Sequence, residues 1–528
     1  MKLNLASLKE KAAWEGYHLP QYDPAEIAEN TKRKPQWLHF GAGNIFRVFP
    51  AVLCQRLIEQ GRMDTGIICC EGYDDEIITR CFRPYDNLSV AVTLNADGSM
   101  EKEVVGSMAE SLTMRYDSGR VRAVFEEPSL QMVSFTITEK GYALRNAKQE
   151  LSPAVAEDMA NGPEGCKTFM AQLAALCIHR CRTASTPLAL VSMDNCSHNG
   201  EKLQSAVLEI AGAWKRNGKI SAAEYDWLTQ KISFPWSMID KITPRPNESV
   251  EKQLIADGLE DISPFVTAKN TYTAAFVNAE KPQYLVVEDL FPNGRPPLEL
   301  AGVYMTDRDT VNRTERMKVT TCLNPLHTAM SVYGCMLGYT LISKEMEDPD
   351  IVKLIKTLGY KEGLPVVTDP GILSPQSFID EVIGKRFPNP FMPDAPQRIA
   401  TDTSQKVGIR FGETIKSYAA EKRGMDSLIA LPLAIAGWLR YLLAVDDNLH
   451  PIEVSSDPMK DELQEKLAGI TVGKPETYQG QLKEILSNET IFGSDLVKIG
   501  LAKRIERMFV EELAGPGAVR AALQKYLQ

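Results

Sequence analysis

No apolar run in this sequence is long enough to cross a bilayer. The most apolar window, LIALPLAIAGWL from Leu428 to Leu439, falls short of the roughly 20 residues a spanning helix needs, contains Pro432 and runs into Arg440. It reads as a buried helix. The N-terminus, MKLNLASLKEKAAWEGYHLP, has no apolar core behind its basic start and is not read as a secretory signal. Paired cysteines are missing too. The ten cysteines are irregularly spaced with no CxxC, the nearest clusters being Cys69-Cys70 and Cys177-x3-Cys181. They read as free thiols in a reducing cytoplasm, with zinc ligation by Cys177, His179 and Cys181 as the alternative. There is no HExxH and no Cys/His ligand spacing in the polar clusters, so zinc-dependent alcohol oxidation is unsupported. Positive charge is in deficit: 59 Lys and Arg against 69 Asp and Glu leave a net charge of -10. That excludes a phosphate-backbone binder, while a local basic pocket for a small anion stays open. Internal repeats and low-complexity tracts are absent. With 44% hydrophobic and 24% charged residues, whole-chain disorder, a collagen-like repeat and a disulfide scaffold are excluded.

What is present is a long chain with two characters. Its 528 residues allow three to four units, or two large ones. In the first half, strand-like runs at 37–41, 66–71, 130–138, 187–193 and 283–289 alternate with helical stretches such as 48–60 and 169–183. Such alternation predicts a parallel sheet of βαβ units. LNADGSM at 94–100 reads as the turn of an inserted antiparallel hairpin. After about residue 300, segments such as 327–339, 427–445 and 495–514 carry helical periodicity, and strand-like runs become scarce. The Pro/Gly-rich stretch 291–303 reads as the linker. The expectation is an α/β nucleotide-type domain over 1–300 and a mostly α-helical domain over 301–528.

LHFGAGNIFRVF at 38–49 runs an apolar strand into Gly41-x-Gly43 and then a helix. Glycine permits the sharp turn and a close backbone approach to a pyrophosphate, and the helix start adds partial positive charge. Phe46 holds the place of the usual third glycine, and Arg47 is a candidate phosphate partner. Gly41, Gly43, Asn44, Ile45, Phe46 and Arg47 are therefore candidate cofactor residues. The next strand ends at Glu71, 28 residues beyond Gly43, with Asp74 close behind. An acid there accepts from ribose hydroxyls and repels a 2′-phosphate, which favours NAD over NADP.

Three polar clusters follow apolar runs: SMDNCSHNG (192–200), FPWSMIDKITPRP (234–246) and KVTTCLNPLH (318–327). Nicotinamide chemistry needs a base for the alcohol proton and donors for the oxygen. A lysine desolvated toward a neutral pKa meets the first need, and asparagine amides meet the second. Lys318, Asn324 and His327 form one such set, with Asn195 as a second donor. Asn324-Pro325 reads as a helix start. Read singly, Lys318 suits a solvated surface lysine and His327 a structural histidine.

At these residues the chain resembles the mannitol dehydrogenase family, the polyol-specific long-chain dehydrogenases. The resemblance runs from about residue 37 to 450 through FGAGNIFR, TITEKGY, DNCSHNG, FPWSMIDKITP, VVED with GRPPLE, KVTTCLNPLH and RFPNPFMPDAPQRIATDTSQK. It implies a Rossmann-type N-terminal domain, a helical C-terminal domain and a metal-independent reaction in the cleft between them. By motif position, Lys318 matches the catalytic lysine, and Asn195 and Asn324 the oxygen-polarising asparagines. His327, Arg398 and Lys406 match substrate contacts. Thr138, Glu139 and Asp240 match positions bordering the cofactor. Five residues separate Lys318 from Asn324 where many relatives have four, so either a bulge absorbs one residue or the lysine lies outside the helix carrying Asn324. Lys241 stands where arginine is common.

The activity implied is interconversion of a sugar acid or polyol with its keto form by NAD, with D-fructuronate and NADH giving D-mannonate as the first expectation. Lys241, Arg245 and Arg398 are the cations expected for a uronate carboxylate. A neutral polyol such as mannitol is the alternative substrate. A non-catalytic nucleotide sensor is the alternative class, against which the lysine, both asparagines and the histidine speak. The expected partners are a small sugar acid or polyol, neither nucleic acid nor membrane, in a monomer or small homo-oligomer.

Overall fold

Every candidate strand of the first half forms, but not all in one sheet. The computed structural model describes residues 1–146 and 148–528. The chain folds into two compact units, Met1–Asn312 and Arg313–Gln528. The first contains a six-stranded sheet built from β1 (Trp37–Phe40), β2 (Ile67–Glu71), β3 (Met108–Thr113), β4 (Met132–Phe135), β5 (Leu188–Ser192) and β6 (Ile232–Ser233). All pairings in it are parallel, in the order β3-β2-β1-β4-β5-β6. This is the doubly wound order, in which the strand sequence reverses between β1 and β4 and leaves a crevice at their carboxyl ends. Both faces of the sheet are buried, so its strands read as continuous apolar runs. Side chains alternate between two cores: Leu38, Ile68, Val133 and Leu190 pack on one face, and Trp37, Ile67, Met132 and Val191 on the other.

The run at 283–289 leaves this sheet. It forms the strand Tyr284–Glu288, antiparallel to Ser237–Asp240 and parallel to Tyr304–Thr306. The stretch 291–303 therefore lies inside the first unit, between two strands of one small sheet. The hairpin at 94–100 forms as expected, joining Ser89–Leu94 to Met100–Val105 with Leu94 opposite Met100.

In the second unit the described residues form helices and turns, with only isolated bridges in place of strand ladders. The apolar window is the helix Ala430–Tyr441, buried along its length. Its first donors are capped from outside: Glu362 accepts from the N–H groups of Ile429, Ala430 and Leu431. Pro432 is tolerated because it lies in the first turn. This helix packs against Asn324–Met336 where Gly437 meets the Tyr333 ring; an added Cβ would lie 2.6 Å from it.

Candidate active site

Gly41 follows β1 at the reversal point. Its φ is +106°, and a Cβ there would lie 2.2 Å from the Thr136 carbonyl oxygen, just past β4. Only glycine fits both conditions. A Cβ on Gly43 would meet nothing within 4 Å. The first glycine thus closes the turn, and the second leaves room beside the backbone. Beneath the turn sits His39, fully buried, with its ring nitrogens 2.6 Å from Ser134 Oγ and 2.9 Å from Thr136 Oγ1. Burial lowers its pKa to about 3, so the ring is neutral. It stacks on Phe46 at 4.2 Å, which explains why an aromatic replaces the third glycine.

Three residues expected to face the cofactor turn inward instead. Arg47 is fully buried and donates to Ala274 O at 2.6 Å, Asn44 Oδ1 at 2.9 Å and Thr273 Oγ1 at 3.2 Å. It is a structural tie rather than a phosphate ligand. The Glu71 carboxylate accepts from the backbone N–H groups of Ala42 (2.8 Å), Gly72 (3.0 Å), Tyr73 (2.8 Å) and Asp74 (3.3 Å). It clamps the glycine turn to the end of β2, and its acceptor capacity is spent there. Asp74 is buried and accepts from Thr267 Oγ1 at 2.6 Å. The reason is common to all three: a tight turn leaves backbone and core polar groups that must find partners, and these side chains are the nearest. Asn44 and Ile45 remain half-buried at the start of the helix Asn44–Val48.

Asp194, which the sequence reading passed over, organises the next strand ends. Its carboxylate accepts from Ile137 N (3.0 Å), Thr138 N (2.8 Å) and Tyr142 Oη (2.5 Å). Thr138 needs that support, because it sits at φ 65°, ψ 159°, a region β-branched residues avoid at a cost of roughly 1–3 kcal/mol. Glu139, beyond it, pairs with Lys202 at 2.6 Å on the surface. On the other side, buried Asn199 donates to Ser192 O, Asp194 O and Ser237 Oγ and accepts from Ser237 N. This ties the loop after β5 to the strand Ser237–Asp240, whose last residue, Asp240, is buried. Asn195 is thereby displayed, exposed, on a loop fixed from both sides. Asp194 is legible in the sequence only as the neighbour of Asn195; no spacing rule points to a carboxylate that binds backbone at the end of the neighbouring strand.

In the second unit the extra residue before Asn324 has a direct structural expression. The helix Arg308–Met317 passes into a π-helical turn, Lys318–Cys322, closed by Leu323 N to Lys318 O at 3.1 Å, and the helix Asn324–Met336 begins immediately after. A π turn takes up one residue without breaking the helical path and recurs at functional sites. Lys318 is 2% exposed. The solvated-lysine reading is therefore wrong.

Asn324 and His327 share a face one turn apart. The His327 ring lies tilted against Phe387, with centroids 4.9 Å apart, and its Nε2 lies 3.5 Å from Asp394 Oδ2 without a hydrogen bond. Burial lowers its pKa to about 3, with nearby arginines adding to the effect, so the ring is neutral. Arg398 is committed to Asp394 through two 2.7 Å bonds and is 67% exposed. Lys406 is half-buried, donates to Thr401 O, and has its pKa lowered by burial and by neighbouring Arg410. Of the cations expected for a carboxylate, Lys241 donates to Glu280 O (2.8 Å) and Gln283 Oε1 (3.0 Å), and Arg245 is exposed.

The strand order, the Gly41 approach and the open space at Gly43 fit a dinucleotide in the first unit. Among the described residues no group of three or more His, Cys, Asp or Glu side chains could hold a metal ion. The Rossmann-domain family model of mannitol dehydrogenase matches residues 35–300, and its C-terminal-domain model matches 310–511. D-mannonate oxidoreductase of Thermotoga maritima is 48% identical over 99% of both chains. A substrate-free D-sorbitol dehydrogenase structure superposes with a TM-score of 0.78 at 25% identity, covering 96% of this chain and 98% of that one. The ternary complex of Pseudomonas fluorescens mannitol 2-dehydrogenase with NAD and D-mannitol gives a TM-score of 0.73 at 25% identity, covering 100% and 99%. With a reversal-point glycine turn in one unit, a lysine-bearing π turn in the other, and both family models matched in order, the chain belongs to the mannitol dehydrogenase family.

Proposed function

We propose that this protein is an NAD-dependent oxidoreductase that interconverts an open-chain sugar acid with its keto form, reducing D-fructuronate to D-mannonate. The observation that carries the reading is Lys318: a lysine 2% exposed on a π turn directly before Asn324, in a chain 48% identical throughout to a D-mannonate oxidoreductase. Lys318 takes the hydroxyl proton in oxidation and returns it in reduction. The Asn195 and Asn324 amides donate to the substrate oxygen as negative charge grows on it. His327, neutral, orients a substrate hydroxyl and exchanges no proton at physiological pH. Backbone around Gly41 and Gly43, with Asn44 and Ile45, holds the pyrophosphate; Glu71 closes the turn beside it, and Asp74 keeps negative charge at the end of β2 where a 2′-phosphate would sit. The nicotinamide, when bound, supplies the hydride chemistry.

The test is NADH oxidation with a panel of keto sugars, in the presence and absence of a strong chelator. Turnover of D-fructuronate well above that of fructose, unchanged by chelation, is the expected outcome. Preference for the neutral ketose would replace the reading by a polyol dehydrogenase. No turnover of any ketose, with NADH still bound, would replace it by a nucleotide sensor.

A further inference from the structure

Among the described residues, the fully buried arginines Arg180, Arg440 and Arg47 are each held by several protein acceptors. Arg180 donates to the carbonyls of Phe125, Glu127, Leu130, Thr186 and Pro187 and to Thr186 Oγ1. Arg440 donates to the carbonyls of Glu512, Val445 and Asp446. Arg47 has three protein acceptors. Arg410 differs. Its guanidinium makes one hydrogen bond, Nη1 to Thr328 Oγ1 at 2.5 Å, and among the described residues no carboxylate pairs with it. Its remaining donors are not sealed in the core. Desolvation alone lowers its pKa to about 10. Lys406 stands one helical turn before it, with Arg410 N bonded to Lys406 O at 2.9 Å. Among the described residues, the Lys406 ammonium likewise makes one hydrogen bond, to the backbone carbonyl of Thr401. Asp402 and Asp457 act on Lys406 from a distance without forming an ion pair with it, and two adjacent, partly desolvated cations without a bonded carboxylate are an unfavourable arrangement that a bound anion relieves.

The backbone is shaped to aim this pair. Arg410 lies in a second π turn, Gly408–Gly412. Its two glycines press on the chain at Ile491 and Phe492, where an added Cβ would lie 2.7 Å and 2.0 Å from their carbonyl oxygens. This turn packs on the π turn that carries Lys318, and Thr414 Oγ1 donates to Thr320 O at 3.3 Å across the join. Thr328, the anchor of Arg410, is bonded through Oγ1 to Asn324 O at 2.9 Å. Asn324 and the arginine's anchor are thus one turn apart, a rise of about 6 Å. That rise is comparable with the four carbon–carbon bonds separating ketone from carboxylate in a 5-keto aldonate.

We propose that Arg410, with Lys406 beside it, is the carboxylate-recognition site for the sugar-acid substrate, and that it sets the preference for acids over neutral polyols. The proposal rests on the sugar-acid reading above but is tested by binding as well as turnover. An arginine fork gripping a carboxylate supplies charge-assisted bonds that a neutral hydroxymethyl group cannot replace.

The experiment is calorimetric titration of the full chain, with NADH present, by D-mannonate and by D-mannitol, for wild type, Arg410→Met and Arg410→Lys. Wild type is expected to bind mannonate more tightly than mannitol. Arg410→Met is expected to lose at least about tenfold in mannonate affinity, with mannitol affinity unchanged. Arg410→Lys is expected to fall between them, and it serves alone if the methionine variant does not fold. Equal mannonate affinity in wild type and either variant would overturn the proposal, as would failure of wild type to bind mannonate. Mannonate binding lost in Arg410→Met, in a chain that turns over no sugar acid, would support the anion site while overturning the proposed reaction.

Discussion

The strand ends of the first unit and the helix start of the second treat their charges in opposite ways. Around the glycine turn, Glu71 is filled by four backbone donors, Asp74 by Thr267 and Asp194 by three donors, and Arg47 is tied to three acceptors. Around Asn324 the reverse holds. His327 Nε2 is buried without a hydrogen bond, and Arg410 and Lys406 each have one uncharged acceptor. The difference teaches where each unit's specificity resides. The first offers a finished backbone surface to a ligand whose recognition is mostly shape and N–H groups. The second holds polar side chains that, on the proposed function, meet their partners when substrate binds.

The largest expected effect tests the second half of that comparison. Lys318→Ala should lower kcat at least about a hundredfold, the usual range for positioned proton transfer being about 10²–10⁴-fold. NADH affinity, followed by fluorescence titration, should not change, because the glycine turn proposed to hold the nucleotide is closed by its own residues. The pH profile sharpens the assignment. His327, with its pKa lowered to about 3, stays neutral from pH 5 upward and adds no limb of its own. On the proposed mechanism the oxidation rate should rise toward alkaline pH as Lys318 loses its proton, and that rise should vanish in the alanine variant. Asn324→Ala should lower turnover and keep that rise, since an amide does not titrate. Near-normal turnover by Lys318→Ala would move the base to Lys406.

A smaller effect tests the first half. Asp194→Ala removes the acceptor for two adjacent backbone N–H groups and for Tyr142, and leaves Thr138 holding a strained conformation unaided. Each orphaned donor costs roughly 1–3 kcal/mol. Thermal melts should show a loss of that order, and nucleotide affinity should fall with it as the β4 end relaxes. Asp194→Asn, which keeps one acceptor oxygen, should recover part of both. An alanine variant with full stability and affinity would show that the strand ends are held by something other than this carboxylate.

How far these two halves were legible in the sequence follows from the same physics. Periodicity and glycine placement report backbone demands, so the parallel sheet, the Gly41 turn and the helical second unit could be read directly. The extra residue between Lys318 and Asn324 was visible as a phase error of one helical step, and the π turn is its structural form. Charged side chains were read poorly, because spacing does not say which way a side chain turns. Glu71, Asp74 and Arg47 satisfy their own loop; Arg398 is spent on Asp394, and Lys241 on Glu280 and Gln283. Arg410 carried no motif at all; what distinguishes it is the absence of a counter-ion, which only the folded chain reveals.

The smallest effect decides what Glu71 does. An acid at the end of the second strand can read the ribose hydroxyls or hold the turn, and the two roles predict different outcomes. If it reads the ribose, Glu71→Gln should relax discrimination and let NADPH bind better while NADH binds less well. The geometry favours the other role. Ala42 N reaches one carboxylate oxygen, while Gly72, Tyr73 and Asp74 N converge on the other. A glutamine must turn its NH2 group toward one of those sets, so donor faces donor and the turn loosens whichever way the amide flips. Both nucleotides then lose the same backbone surface. Their dissociation constants should rise together by roughly two- to tenfold, in line with about 0.5–1.5 kcal/mol for one net hydrogen bond, with their ratio nearly constant. A selective gain for NADPH would mean that Glu71 turns outward when nucleotide binds, and the closed character of this turn would then belong to the empty state alone.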